Sequence, residues 1–276
     1  MKIKSAVTIS LVPSLYGGPW IYWDALEISI PKAKASGFDA VELFTASADA
    51  VNPDTLSSLL HTYNIDLSAV GTGAGKVIHQ LSLISPDESI RRKAIDFISD
   101  MIDFSGPFGA PVIIGSIQGN LEKGITRDRA ISWLAEGLEE LGQKAAVYGV
   151  KLIYEILNRY ETDLINRLSK GVDLIKSLES KNVTLLADLF HMNIEEDSLP
   201  DAIQDAGNYI GYIHFVDSNR RPAGMGHTDM NKVAQALREI SYEGYMSAEA
   251  FPYPDPDRAA EQTIKTFKEF MIPAFK

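Results

Sequence analysis

The sequence predicts a single-domain (β/α)8 barrel, a TIM barrel, and three observations carry that reading. The chain has 276 residues, within the size range of one such barrel. Short apolar runs alternate with amphipathic stretches eight times, the pattern of strand–helix units on a parallel sheet. No Gly/Ser linker or low-complexity tract divides the chain, so one domain over residues 1–276 is the economical reading.

In chain order the strand candidates are Ile3–Ser10, Ala40–Phe44, Asp66–Val70, Pro111–Gly115, Lys151–Glu155, Thr184–Asp188, Tyr212–Val216 and Tyr245–Glu249. The opening "MKIKSAVTIS" lacks the length and cleavage signal of a secretory leader and reads as the first strand. Segments of helical period fill the gaps. The clearest begins at "SPDE", with Ser85 expected as N-cap, Pro86 at the first helical position and Glu88 closing a capping box. Its apolar residues Ile90, Ala94, Phe97, Met101 and Phe104 step by four and three, so they share one stripe. The next helix repeats that rhythm with Ile131, Leu134, Leu138, Leu141 and Ala145, and Gly149 follows as its expected C-cap. A doubly wound sheet is the rival fold, but no Gly-x-Gly-x-x-Gly turn follows the first strand. "LYGGPW" stands there instead, and its Pro and Trp read as a lid over a pocket.

Composition narrows the function. With 45% hydrophobic residues the chain can bury a large core. Its formal charge of -11 argues against a phosphate-binding surface, so no nucleic-acid partner is expected. No apolar stretch reaches the ~18 residues of a membrane helix, so no membrane partner is expected either. Cysteine is absent, which removes disulfides, thiolate nucleophiles and sulfur ligands and fits a reducing cytoplasm. The expectation is a soluble, acidic, cytoplasmic protein.

In a barrel of this kind, chemistry gathers where the strands end. The stretch "YEILNRYET" puts Glu155 at the close of an apolar run, where a carboxylate costs several kcal/mol unless something pairs with it or binds it. Strand six ends "TLLAD" at Asp188, strand seven, "YIHFV", carries His214, and strand eight ends "MSAE" at Glu249. One strand-end carboxylate is more often an N-cap, and one strand histidine more often a core residue. Four on adjacent strands are another matter, because three unpaired carboxylates converging on one rim repel strongly and a divalent cation resolves the repulsion. Three oxygen donors and one imidazole suit Mn2+, Mg2+ or Co2+ better than a structural Zn2+, although Zn2+ also binds such a set.

A second group surrounds the quartet. His191 lies three residues after Asp188, Glu161 six after Glu155, and Arg220 follows His214 in "HFVDSNRRPAGMGHTDM", with Asp217, His227 and Asp229 nearby. An arginine fork and a histidine beside a cation suit the oxygens of a polyhydroxylated or carbonyl substrate. The plain alternative is an Arg220–Asp217 pair on a loop. His61 is expected to be exposed on a helix, His79 carries little information, and Glu42 points to the same rim with its role open.

The motifs "YEILNRYET", "LADLFHMNIEE", "IHFVDSNRRPAGMGHTDM" and "SAEAF", in this order, resemble the sugar isomerase/epimerase superfamily of xylose-isomerase-like barrels. The nearest branch is that of the ketose 3-epimerases, which act on D-tagatose and D-psicose. The resemblance implies one divalent metal, commonly Mn2+, on Glu155, Asp188, His214 and Glu249, and substrate contacts from Glu161, His191 and Arg220. It implies a small-molecule sugar substrate, inverted at C3 through a metal-stabilised cis-enediolate, with Glu155 and Glu249 as the acid/base pair. Trp20 and Trp23 would then shield the apolar face, and a homodimer or homotetramer is the expected assembly. The likeness weakens at residues 11–23 and 71–80, so the sugar is not carried over. Aldose–ketose isomerisation, hydroxypyruvate isomerisation and inosose dehydration use similar chemistry and stay open. An abasic-site endonuclease needs histidines at the ends of strands three and four, where "AVGTGAG" and "IIGSIQG" have none. A sugar-binding barrel without catalysis would not need both glutamates.

Overall fold

The computed structural model describes residues 3–275, leaving residues 1, 2 and 276 of the predicted span outside the described residues. The strands are β1 (Ile3–Ser10), β2 (Ala40–Phe44), β3 (Asp66–Gly71), β4 (Val112–Ile114), β5 (Leu152–Glu155), β6 (Val183–Asp188), β7 (Ile210–His214) and β8 (Gly244–Ala248). All pair in parallel in sequence order, and β1 closes the ring against β8. The α-helices of four or more residues are α1 (Leu26–Ser36), α2 (Pro53–Tyr63), α3 (Ala74–Val77), α4 (Glu88–Ser105), α5 (Arg127–Ala146), α6 (Leu168–Ser177), α7 (Leu189–Glu195), α8 (Leu199–Ala206), α9 (Met230–Glu239) and α10 (Pro256–Thr266). The architecture is a single (β/α)8 barrel. Among the described residues no helix is long and apolar enough to cross a membrane.

Helix ends depart from expectation for local reasons. Helix α4 starts two residues later than "SPDE" suggests, because Asp87 and not Ser85 caps it. The Asp87 carboxylate accepts the Ser89 N–H at 2.8 Å, whereas the Ser85 hydroxyl accepts the Asp87 N–H at 3.2 Å and stays in the loop with Pro86. A carboxylate at a helix N-terminus gains from the exposed N–H groups and the helix dipole. The buried stripe of α4 is Ala94, Ile98, Met101, Ile102 and Ser105, so Phe97 and Phe104 flank it half-buried. Helix α5 is capped by Val147; Gly149 takes the left-handed turn residue just beyond, at φ 70°.

The barrel interior explains where the polar residues go. Ala69, Ile113, Ile153, Leu186 and Tyr212 form one apolar layer inside the ring, each at most 3% exposed. Burying an Ile or Leu side chain there contributes roughly 1.5–3 kcal/mol. Strand side chains alternate between faces, so the next inward residue lies two positions on, one level nearer the C-terminal rim. Those residues are Gly71, Gly115, Glu155, Asp188 and His214. The apolar layer is thus a floor, and the ionisable layer stands directly on it. Outside the ring, a larger apolar cluster packs the helices onto the strands.

Candidate metal centre and active site

Glu155, Asp188 and His214 are the last residues of β5, β6 and β7, and Glu249 stands one residue past β8. Their donor atoms all lie within 4.8 Å of one another. His214 Nδ1 is 3.2 Å from Asp188 Oδ2, 3.2 Å from Glu155 Oε1 and 3.5 Å from Glu249 Oε2. An ion about 2.1 Å from each donor has neighbouring donors about 3.0–3.4 Å apart, so these spacings fit one divalent cation. Asp188 splits its carboxylate: Oδ1 caps α7 through the Phe190 and His191 N–H groups, and Oδ2 faces His214. The ordinary role of a strand-end aspartate and a place in the cluster are therefore filled by the same side chain.

The cluster is electrostatically crowded. Burial, helped by the Glu155 and Asp188 carboxylates, pushes Glu249 up to about 8 against the opposing pull of His214 and Arg220. Burial alone would lower His214, but Glu249, Glu42, Asp188 and Glu155 hold it well above the usual imidazole range. Burial would raise Asp188, yet His191 and His214 keep it below the ordinary carboxylate range. Of the three carboxylates, Glu249 is the one the crowding inclines to keep a proton.

A cavity of about 320 Å3 opens onto the cluster. Glu155, His214 and Glu249 line it and Asp188 does not. On β3 and β4 the rim positions are Gly71 and Gly115, so the space that side chains fill on β5–β7 is left open there. The far wall is apolar. The loop after β1 returns beside that strand through the Tyr22 carbonyl, which accepts the Ser10 N–H, and sets Trp20 against Phe44 with ring centroids 4.2 Å apart. Trp20 lines the cavity; Trp23 stands behind it, donating its indole N–H to the Trp20 carbonyl at 2.8 Å. The expectation that both tryptophans face the pocket holds for one.

The second group also assembles. Arg220 Nη1 donates to Glu161 Oε1 at 2.9 Å and Nη2 to Glu249 Oε2 at 3.0 Å, with its guanidinium over the Phe190 ring. Its backbone is left-handed at φ 59°, in a turn closed by its N–H on the Asp217 carbonyl, and this directs the side chain back over the rim. The side chains of Arg220 and Asp217 do not pair. His191 Nε2 lies 3.8 Å from Glu155 and 3.7 Å from Asp188, buried and without a hydrogen bond. Asn158 sets that ring. Its Oδ1 accepts the Tyr160 N–H, so its NH2 donates to His191 Nδ1 at 2.7 Å, which assigns the proton of a neutral ring to Nε2. The Arg159–Glu195 fork, at 2.8 and 2.9 Å, ties this loop to α7.

The family description "Xylose isomerase-like TIM barrel" matches residues 30–270. The chain belongs to the xylose isomerase-like TIM barrel family. It is 32% identical over 237 residues to a D-psicose 3-epimerase of Ruminiclostridium cellulolyticum, covering 83% of this chain and 80% of that one. A D-psicose 3-epimerase of Enterocloster bolteae is 29% identical over 250 residues, 86% and 82% of the two chains. The crystal structure of D-psicose 3-epimerase with D-tagatose from Clostridium cellulolyticum H10 superposes with a TM-score of 0.81 at 26% identity, covering 97% of this chain and 99% of that one.

Other polar residues of this xylose isomerase-like chain fall elsewhere. Asp217 is fully buried and accepts backbone N–H groups of Ser218, Gly224 and Thr228, which organises the loop after β7. Asp229 caps α9, and His227 lies with it on a separate surface groove. His61 is exposed on α2, as expected, and His79 donates its Nε2–H to the Ala46 carbonyl oxygen in the loop after β2, 2.9 Å away. Sequence reasoning gave no role to Asn158 or Gly115. The signal for Asn158 was its place in "YEILNRYET", between two acidic site residues.

Proposed function

We propose that this protein is a divalent-metal-dependent ketose 3-epimerase, inverting C3 of a ketose by taking one proton and returning one to the opposite face. The observation that carries the reading is the division among the cluster's carboxylates. Glu155 and Glu249 line the cavity, while Asp188 has no exposed surface. Two carboxylates are thereby open to proton work as well as to holding a cation. Likeness to D-psicose 3-epimerases over four-fifths of the chain supports the same assignment.

A proton α to a ketose carbonyl is too weak an acid for an unassisted carboxylate at neutral pH. When bound, the cation, proposed as Mn2+ on the resemblance although the hard donor set suits Mg2+ or Co2+ equally, would supply Lewis-acid polarisation of the substrate carbonyl. Glu155 and Glu249 then act as base and acid at C3, and the configuration of C3 decides which begins. Arg220 and the Nε2–H of His191 hold substrate oxygens; Glu161 and Asn158 keep those two oriented. Trp20 and Phe44 cover the apolar wall and exclude water. The absence of cysteine suits a cytoplasmic enzyme, and a homodimer or homotetramer paired through the outer helices is the proposed assembly.

Incubating the Mn2+-loaded protein with a panel of ketoses in D2O tests the reading. Deuterium at C3 of one ketose, with its C3 epimer appearing, is the expected result. Deuterium at C1 together with an aldose product would replace it with aldose–ketose isomerisation.

A further inference from the structure

Beneath the ionisable cluster runs a buried polar column that the site motifs do not account for. Glu42, on β2, is 4% exposed and no Lys or Arg pairs with it among the described residues. Its Oε2 accepts from Tyr212 Oη at 2.9 Å, and Tyr212 Oη lies 2.8 Å from Ser68 Oγ. With the tyrosine proton on Glu42, the single Ser68 proton is shared between Tyr212 Oη and the Val41 carbonyl oxygen, 3.1 Å away. Glu42 Oε1 lies 3.4 Å from His214 Nε2. That contact is loose for a hydrogen bond, and Nε2 has no hydrogen-bond partner elsewhere among the described residues. The other nitrogen of the same ring, Nδ1, faces the three carboxylates of the cluster.

Strand register singles out the same column. The barrel has two register shifts. One leaves Ser68 unmatched beside Val41 and Glu42; the other leaves Gly211 unmatched just before Tyr212. An inserted residue of this kind re-aims its neighbours, and such irregularities gather beside functional sites. A Cβ at Gly211 would lie 2.5 Å from the Thr184 side chain, so glycine permits the shift there.

We propose that Glu42 is a positioning residue for the metal centre: it takes the Nε2–H of His214, so that Nδ1 presents its lone pair to a divalent cation, and it is itself held by Tyr212 and Ser68. The inference rests on the metal reading above. A ligating histidine whose second nitrogen donates to a carboxylate is fixed in both tautomer and ring orientation, and loss of such a partner costs about 10–100-fold in metal affinity. Glu42 also lines the cavity, so direct contact with substrate is the rival role.

Co2+ titration of the metal-free protein, read by competition with a chelator and by visible absorption, separates the two. The wild type is expected to bind one Co2+. Glu42→Ala should bind it about 10–100-fold more weakly with an altered spectrum, and Glu42→Gln, which keeps a carbonyl acceptor for Nε2–H, should recover most of the affinity. If Glu42→Ala does not fold, as thermal melting would reveal, Tyr212→Phe is read in its place and should weaken Co2+ several-fold. Wild-type affinity and spectrum in Glu42→Ala, or in Tyr212→Phe where that is the one read, overturn the inference, and a raised KM alongside would make Glu42 a substrate contact. Failure of the wild type to bind Co2+ would instead sink the metal reading itself.

Discussion

Glu155 Oε2 lies 2.5 Å from the point where a Cβ on Gly115 would sit. Real contacts are never that close, so the carboxylate occupies space that only glycine leaves at the end of β4. Gly115→Ala is expected to push Glu155 out of the cluster without unfolding the barrel. Displacement of a reacting group by about 1 Å can cost on the order of 100-fold in rate. Turnover should fall by that order while the melting temperature changes little. A fully active Gly115→Ala would show that Glu155 need not stay where it is.

Glu155→Gln and Glu249→Gln test the proton work. Each keeps an oxygen for the cation but removes the proton carrier, so each should lower the C3 exchange rate by about 100- to 10,000-fold. Deuterium uptake in D2O, measured on metal-loaded variants, reads this directly. Near-wild-type exchange in either variant contradicts the two-carboxylate scheme.

The quartet was legible because three of its ligands stand where an apolar run stops and His214 interrupts one, signals carried by a few consecutive residues. The start of α4 was misplaced by two residues because Ser85 and Asp87 both offer caps, and only hydrogen-bond competition decides between them. The α4 stripe was turned slightly because Phe97 and Phe104 pack sideways onto His79 and Phe108, contacts set by neighbouring loops. Roles for Glu42 and Asn158 were out of reach for a different reason. Local sequence puts both near the rim, but their partners lie 170 and 33 residues away, and no local pattern says what they touch.

Asn158 should act through His191. Asn158→Asp replaces a donor to Nδ1 with an acceptor, which moves the ring proton off Nε2 and leaves the substrate oxygen without its donor. A lost hydrogen bond of this kind corresponds to roughly tenfold in affinity. KM should rise by about that factor with Mn2+ affinity unchanged, and 15N NMR of the His191 ring should report the switched tautomer. An unshifted His191 signal would separate Asn158 from that role.

Asp217 supports the loop that carries Arg220. Burial would raise it, but the Thr228, Ser218, Gly226 and Gly224 backbone N–H groups hold it below the ordinary carboxylate range. Asp217→Ala strands several of those donors and should cost at least about 2 kcal/mol, or about 4–8 °C in melting temperature for a chain of this size. A depressed carboxylate stabilises above its unfolded pKa and loses that contribution as pH falls through its folded one. The gap in stability between wild type and Asp217→Asn should therefore be full at neutral pH and shrink below about pH 4. A gap that widens toward acid would contradict this.

The central claim is that four side chains from successive strands grip one divalent cation. Anomalous diffraction from a crystal grown with Mn2+ examines it without reference to any substrate. One peak is predicted inside the rim, within coordination distance of Glu155, Asp188, His214 and Glu249. A map with no peak there, or with manganese held by other residues, would contradict the account.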